Sequence, residues 1–151
     1  MTQQERESWH AFFLRIAALW ATRSKDPGTK CGAVIVNGEN LVVSSGYNGL
    51  PRRIVDSVER LENRQRKLEL TVHAEINAIL NAARLGVSIR GCTLYTTPLV
   101  PCSSCAPLIV NSGISQVVTD GRVWDDPINR SEDVAMQFIE AGIPIIQIEA
   151  E

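Results

Sequence analysis

No hydrophobic run in this chain is long enough to cross a bilayer. The longest, Ala11 to Ala21, is interrupted by Arg15, whereas a membrane helix takes about 20 apolar residues. The N-terminus, Met1 to Arg6, lacks the basic, then apolar, then small-residue order of a secretory signal, and the cytoplasm is the expected location. A surplus of positive charge is missing too: 15 Lys and Arg face 17 Asp and Glu, for a net charge of -2 and a pI near 5.7. Polyanion binding draws on clustered Lys and Arg, so a small molecule is a better candidate partner than a long nucleic acid. Cysteine is scarce at four residues, and beyond one Cys-x-x-Cys there is no second such pair and no His pair. That argues against a structural zinc site with four protein ligands. Internal repeats, linkers and low-complexity stretches are absent as well. With 151 residues and 44% hydrophobic content, the chain has the size of one domain, 1–151, with a sizeable core.

What is present is a triplet, His73-Ala74-Glu75, answered by Pro101-Cys102-Ser103-Ser104-Cys105. One imidazole and two thiolates fill three corners of a zinc tetrahedron and leave the fourth for water, the pattern of a catalytic site. Zinc makes hydroxide available near neutral pH. A carboxyl beside the metal but not bound to it then shuttles protons during hydrolytic deamination of a ring, and Glu75 is suited to that role. His73 and Glu75 are about 200° apart around a helix, so both face one pocket only if His73 stands at the very start of the helix. Apolar Ile76, Ile79, Leu80 and Ala83 follow at helical spacing, and Gly86 is a stop signal. Each half of the motif alone is weak, and the conjunction in one small chain is strong. The remaining cysteines, Cys31 and Cys92, read as small core residues on strands.

The rest of the chain alternates. Trp9, Phe12, Phe13, Ile16 and Trp20 predict an amphipathic helix from about Gln4 to Arg23, its apolar face on the core. Gly32–Val36 and Leu41–Ser45 predict a hairpin around Asn37-Gly38-Glu39-Asn40. Ser57 to Leu70 is charged and reads as a solvated helix or loop. After the helix from His73 come a strand at Cys92–Thr97 and a helix from about Cys102 to Asn111, with Pro107 tolerated in its first turns. A strand at Gln116–Thr119, a helix capped by Ser131-Glu132-Asp133 and a strand at Ile143–Ile148 complete the order. The expected fold class is α/β, a three-layer α/β/α arrangement with a five-stranded mixed sheet whose last two strands are parallel.

On these residues the chain resembles the deoxycytidylate deaminase family of the cytidine deaminase superfamily, from about Ala17 to Gly121. The resemblance rests on the zinc motif together with Arg23 to Pro27, Lys30 to Val36, Gly46-Tyr47-Asn48-Gly49-Leu50-Pro51, His73 to Ile79 and Ser112-Gly113-Ile114. It implies a cytidine-deaminase-like fold and conversion of dCMP to dUMP and ammonia in support of thymidylate supply. It implies one Zn2+ per chain on His73, Cys102 and Cys105, with Glu75 catalytic. It also implies substrate contacts from Asn48, Tyr47, Arg23, Ser24, Lys25, Ala74 and Trp124. A homo-oligomer, hexamer or dimer, and control by dCTP and dTTP are family properties. For Asn48 a second reading is a turn in which Gly46 and Gly49 serve backbone geometry and Asn48 turns left-handed. For Arg23, Ser24 and Lys25 it is solvated charge at a helix end, and for Trp124 a core position.

Two departures from the family pattern stand out. The loop Thr96 to Pro101 is one residue longer than usual and borders the base pocket, and the Cys and His residues that bind a second zinc in some members are absent. Alternative functions are deamination of another small amino-substituted ring, such as a nucleoside, free base or 5-modified dCMP, and a nucleotide-binding regulator without turnover. Retention of Glu75 argues against the last.

Overall fold

The computed structural model describes residues 6–121 and 131–149. Helix α1 (Trp9–Ala21) begins where Ser8 Oγ accepts the N–H of Ala11 at 3.1 Å, one of the donors a helix start leaves unpaired. Strands β1 (Gly32–Val36) and β2 (Val42–Tyr47) form the expected hairpin. Its turn is closed by Asn37 Oδ1, which accepts the N–H groups of Glu39 and Leu41, and Asn40 takes the left-handed conformation at φ 60°. The charged stretch folds as two short helices, α2 (Val58–Glu62) and α3 (Arg64–Leu70), capped by the side chains of Ser57 and Asn63. Helix α4 (Ala74–Leu85) has His73 as its N-cap residue and ends at Gly86 with φ 68°, the left-handed stop that glycine adopts without strain. Strand β3 (Thr93–Thr97), helix α5 (Ala106–Asn111), strand β4 (Gln116–Thr119), helix α6 (Ser131–Glu140) and strand β5 (Ile145–Gln147) follow. Helix α5 starts four residues later than its sequence pattern suggests. Residues 102–105 form a tight turn instead, in which the N–H groups of Cys105 and Ala106 both bond to the Cys102 carbonyl.

The strands form one sheet in the order β2-β1-β3-β4-β5. β1 runs antiparallel to both neighbours, while β3, β4 and β5 are parallel and joined through α5 and α6. Helix α1 covers one face, where Phe13, Leu14 and Ala17 meet Val34, Tyr95 and Val118. Helices α4, α5 and α6 cover the other, burying Ala78, Ile109 and Phe138 against Ile35, Leu94 and Val117. This is the expected three-layer α/β/α fold. No described helix is long and apolar enough to cross a membrane.

The buried face of α4 differs from the one its branched residues suggest. Leu80 is exposed and Ile76 and Ile79 are half-buried, whereas Ala74, Ala78 and Ala82 are sealed against the sheet. Small side chains at i, i+4 and i+8 bring the helix backbone down onto β2, where a Cβ on Gly46 would lie 2.5 Å from Ala78 N and 2.7 Å from Ala74 O. Gly46 thus permits close approach rather than positive φ. Polar stitches hold the contact: Asn77 donates to the Tyr47 carbonyl at 2.7 Å, Asn81 to the Ser45 carbonyl at 2.8 Å, and Ser44 Oγ to the Ala78 carbonyl at 2.6 Å.

Candidate active site

The close seat of α4 fixes where its first residues point. His73, with extended φ -69° and ψ 155°, stands just outside the helix. Cys102 and Cys105 bracket the turn between β3 and α5. Both sulfurs approach the imidazole, Cys105 Sγ at 3.2 Å and Cys102 Sγ at 3.3 Å from His73 Nδ1, and all three donor atoms lie within 4.8 Å of one another. Zinc bonds of about 2.0–2.3 Å in a tetrahedron space their donors roughly 3.5–3.8 Å apart, so one nitrogen and two sulfurs in this arrangement fit zinc. No other described residues form such a group of three potential ligands.

The electrostatics favour a thiolate at Cys102. The Cys102 thiol is held at about 3, first by the hydrogen bond from Cys105 and then by His73 and Ser104, against the effect of burial. Ser104 Oγ lies 3.0 Å from Cys102 Sγ. Cys105, on the donating side of the pair, is pushed up by that bond and by burial. The hydrogen bond with Cys102 raises His73, burial opposing it. Glu75, in the first turn of α4, is only 6% exposed. Burial lifts its carboxyl above the usual range, offset in part by its own backbone N–H, by His73 and by a hydrogen bond with Thr96.

His73, Glu75 and Cys102 line a cleft of about 250 Å³, together with Ala74, Thr96 and Asn48. Asn48 is 6% exposed and organises the wall: its Oδ1 accepts the Cys31 N–H at 2.8 Å and its Nδ2 donates to the Thr29 carbonyl at 3.0 Å. Its φ is not positive, so the left-handed reading is set aside. Other expected contacts lie elsewhere. Ser24 is buried behind the wall, its hydroxyl donating to the Asn48 carbonyl at 2.8 Å. Lys25 pairs with Asp56 at 2.8 Å, which raises its pKa. Tyr47 stacks on Trp20 with ring centroids 6.3 Å apart. Arg23 is exposed, and none of these four lines the cleft. Trp124 lies outside the described residues. Cys92 is buried as expected, and Cys31, half-buried, packs against the same core cluster while also lining the cleft; each stands one residue before its strand. Thr96, from the loop expected to border the base pocket, and Asp26, from the Arg23 to Pro27 segment, also line the cleft. Sequence reasoning passed over Arg64 and Lys67, which line it too and whose only signal was charge in a stretch that reads as solvated.

Residues 7–120 match the family described as the cytidine and deoxycytidylate deaminase zinc-binding region. The chain is 43% identical over 126 residues to a probable deoxycytidylate deaminase of Drosophila melanogaster, covering 77% of this chain and 61% of that protein. It is 42% identical over 115 residues to the deoxycytidylate deaminase of Homo sapiens, covering 73% and 63%. The matched region is thus about three fifths of the length of these relatives. Among solved structures it resembles a dCMP deaminase from the cyanophage S-TIM5 in complex with dCMP and dUMP, with a TM-score of 0.74, 22% identity and coverage of 91% of this chain and 95% of that one. That likeness is one of fold.

Proposed function

This chain belongs to the cytidine and deoxycytidylate deaminase family, and we propose that it hydrolyses the exocyclic amine of dCMP, converting dCMP and water to dUMP and ammonia. The observation that carries this reading is a buried carboxyl, Glu75, two residues from an imidazole that faces two sulfurs, with Glu75, His73 and Cys102 on one cleft. His73, Cys102 and Cys105 would hold a zinc ion, which when bound would supply the Lewis acidity that makes water a competent nucleophile near neutral pH. Glu75 is the proton carrier. It accepts a proton from the attacking water and delivers it to the ring nitrogen next to the reacting carbon. It takes the second proton from the same oxygen and passes it to the amine, which leaves as ammonia. Burial raises its affinity for protons and so favours the uptake half of that cycle, in which the proton comes from water. Thr96 orients the carboxyl, and Ala74 and Asn48 border the ring and sugar. Asn48 acts by holding the wall formed by residues 29–31.

The choice of dCMP follows the relatives that carry the name deoxycytidylate deaminase. The cytoplasm is the proposed location, consistent with cysteines that carry no disulfide. The exposed apolar side chains of α1, Trp9, Phe12 and Leu19, support a homo-oligomer.

The test is ammonia release by zinc-loaded protein from dCMP, CMP, deoxycytidine, dCTP, cytosine, guanine and adenosine. The highest kcat/KM is expected on dCMP. A higher value on a free base, or no ammonia from any of them, overturns the reading.

A further inference from the structure

One face of α3 lies along the cleft. Arg64, Lys67, Leu68 and Thr71, at i, i+3, i+4 and i+7, all line it, which is the spacing of a single helical stripe. The charges on that stripe are not equivalent. Lys67 Nζ sits 2.9 Å from Asp26 Oδ1, with the two side chains 15% and 10% exposed. Asp26 Oδ1 also accepts the Gly28 N–H at 2.7 Å, so the ammonium is anchored to the loop that forms the opposite wall. The neighbouring cations are occupied away from the cleft: Arg60 bonds to the Val55 carbonyl and Arg66 to Glu59. Arg64 differs. Among the described residues its guanidinium has no hydrogen-bond or ion-pair partner, and it borders the same cleft as Glu75 and His73.

An unpaired guanidinium one turn from a fixed ammonium suits a phosphomonoester. The planar fork of Arg64 takes two phosphate oxygens at once, and Lys67 keeps protons beyond the one directed at Asp26. Resting on the deaminase reading above, we infer that the α3 stripe receives the 5′-phosphate of a nucleoside monophosphate, with Arg64 as the principal contact and Lys67, positioned by Asp26, as the second. Preference for nucleotide over nucleoside then resides in the 57–70 segment, not in Arg23 to Lys25.

The experiment compares kcat/KM on dCMP and deoxycytidine for wild type, Arg64→Gln, Arg64→Lys and Lys25→Ala. It is accompanied by calorimetric binding of the products dUMP and deoxyuridine and by zinc analysis. Loss of a charge-assisted contact corresponds to about 10- to 100-fold, so in Arg64→Gln the dCMP to deoxycytidine ratio falls by that factor at full zinc content, with partial recovery in Arg64→Lys. Weaker dUMP binding without a matching change for deoxyuridine supports the same assignment. An equal fall on both substrates, an unchanged ratio in Arg64→Gln, or a collapse of the ratio in Lys25→Ala alone overturns the inference and leaves the deaminase reading intact. If wild type turns over neither substrate, the deaminase reading fails, and the inference is decided by whether Arg64→Gln weakens dUMP binding.

Discussion

In the proposed reaction Glu75 carries two opposed demands at one residue. Proton transfer needs its carboxyl next to the reacting ring, and that position is dry enough to raise its proton affinity. Replacement by Gln keeps the shape and removes the shuttle. Glu75→Gln is expected to retain one zinc per chain while kcat falls by about 10²- to 10⁴-fold, read from metal analysis beside turnover. The same burial sets the sign of a pH effect in the chelated protein. A carboxyl whose folded pKa is raised contributes stability below its unfolded pKa and loses that contribution as pH rises through the folded value. As pH rises from about 4, the ordinary glutamate range, through the raised folded value, metal-free wild type should therefore lose thermal stability relative to metal-free Glu75→Gln. Parallel melting curves across that range would show that the carboxyl ionises in the folded protein as easily as in the unfolded chain.

Helix α4 determines where that carboxyl is held. Its alanine face and the bare Gly46 bring helix and strand backbones together, so a methyl group at 46 meets main-chain atoms that cannot rotate away. Gly46→Ala is expected to cost about 1–3 kcal/mol through overpacking. It should also speed zinc loss to a chelator, because the helix that must shift carries His73 at its head. Unchanged zinc release with lowered Tm would mean that α4 tilts about its first turn. The sequence was most legible at this scale. Strand β4 falls on Gln116–Thr119 as its pattern indicates, and His73 is the N-cap, since local periodicity and stop signals fix both. The late start of α5 was not legible, because the Cys102 turn imitates a first helical turn in sequence. The buried alanine face was obscured by the branched residues beside it, since hydrophobicity marks apolar character and not closeness of approach.

Across the whole molecule, the metal ligands join the head of α4 to the turn leading into α5. A ligand that binds only the folded state adds about 4 kcal/mol at a thousand times its Kd, and for a domain of this length that is about 10 °C in Tm. Chelation should lower Tm by an amount of that order and re-addition of zinc should restore it, as followed by calorimetry. A shift within error would mean that the two helices are fixed by packing alone. The convergence of His73, Cys102 and Cys105 was legible in sequence because the residue types and spacing of these candidate zinc ligands are the chemistry itself. The cleft wall was not, because Arg64 and Asp26 are 38 positions apart and meet the same space only after α3 folds back across it. The stitches between α4 and β2 have one more effect. β2 is the outer strand of the sheet, and the Asn77 and Asn81 side chains occupy the Tyr47 and Ser45 carbonyls. Those are backbone acceptors that a stray strand from another molecule would use to extend the sheet, so the contacts that seat the catalytic helix also blunt one edge against aggregation.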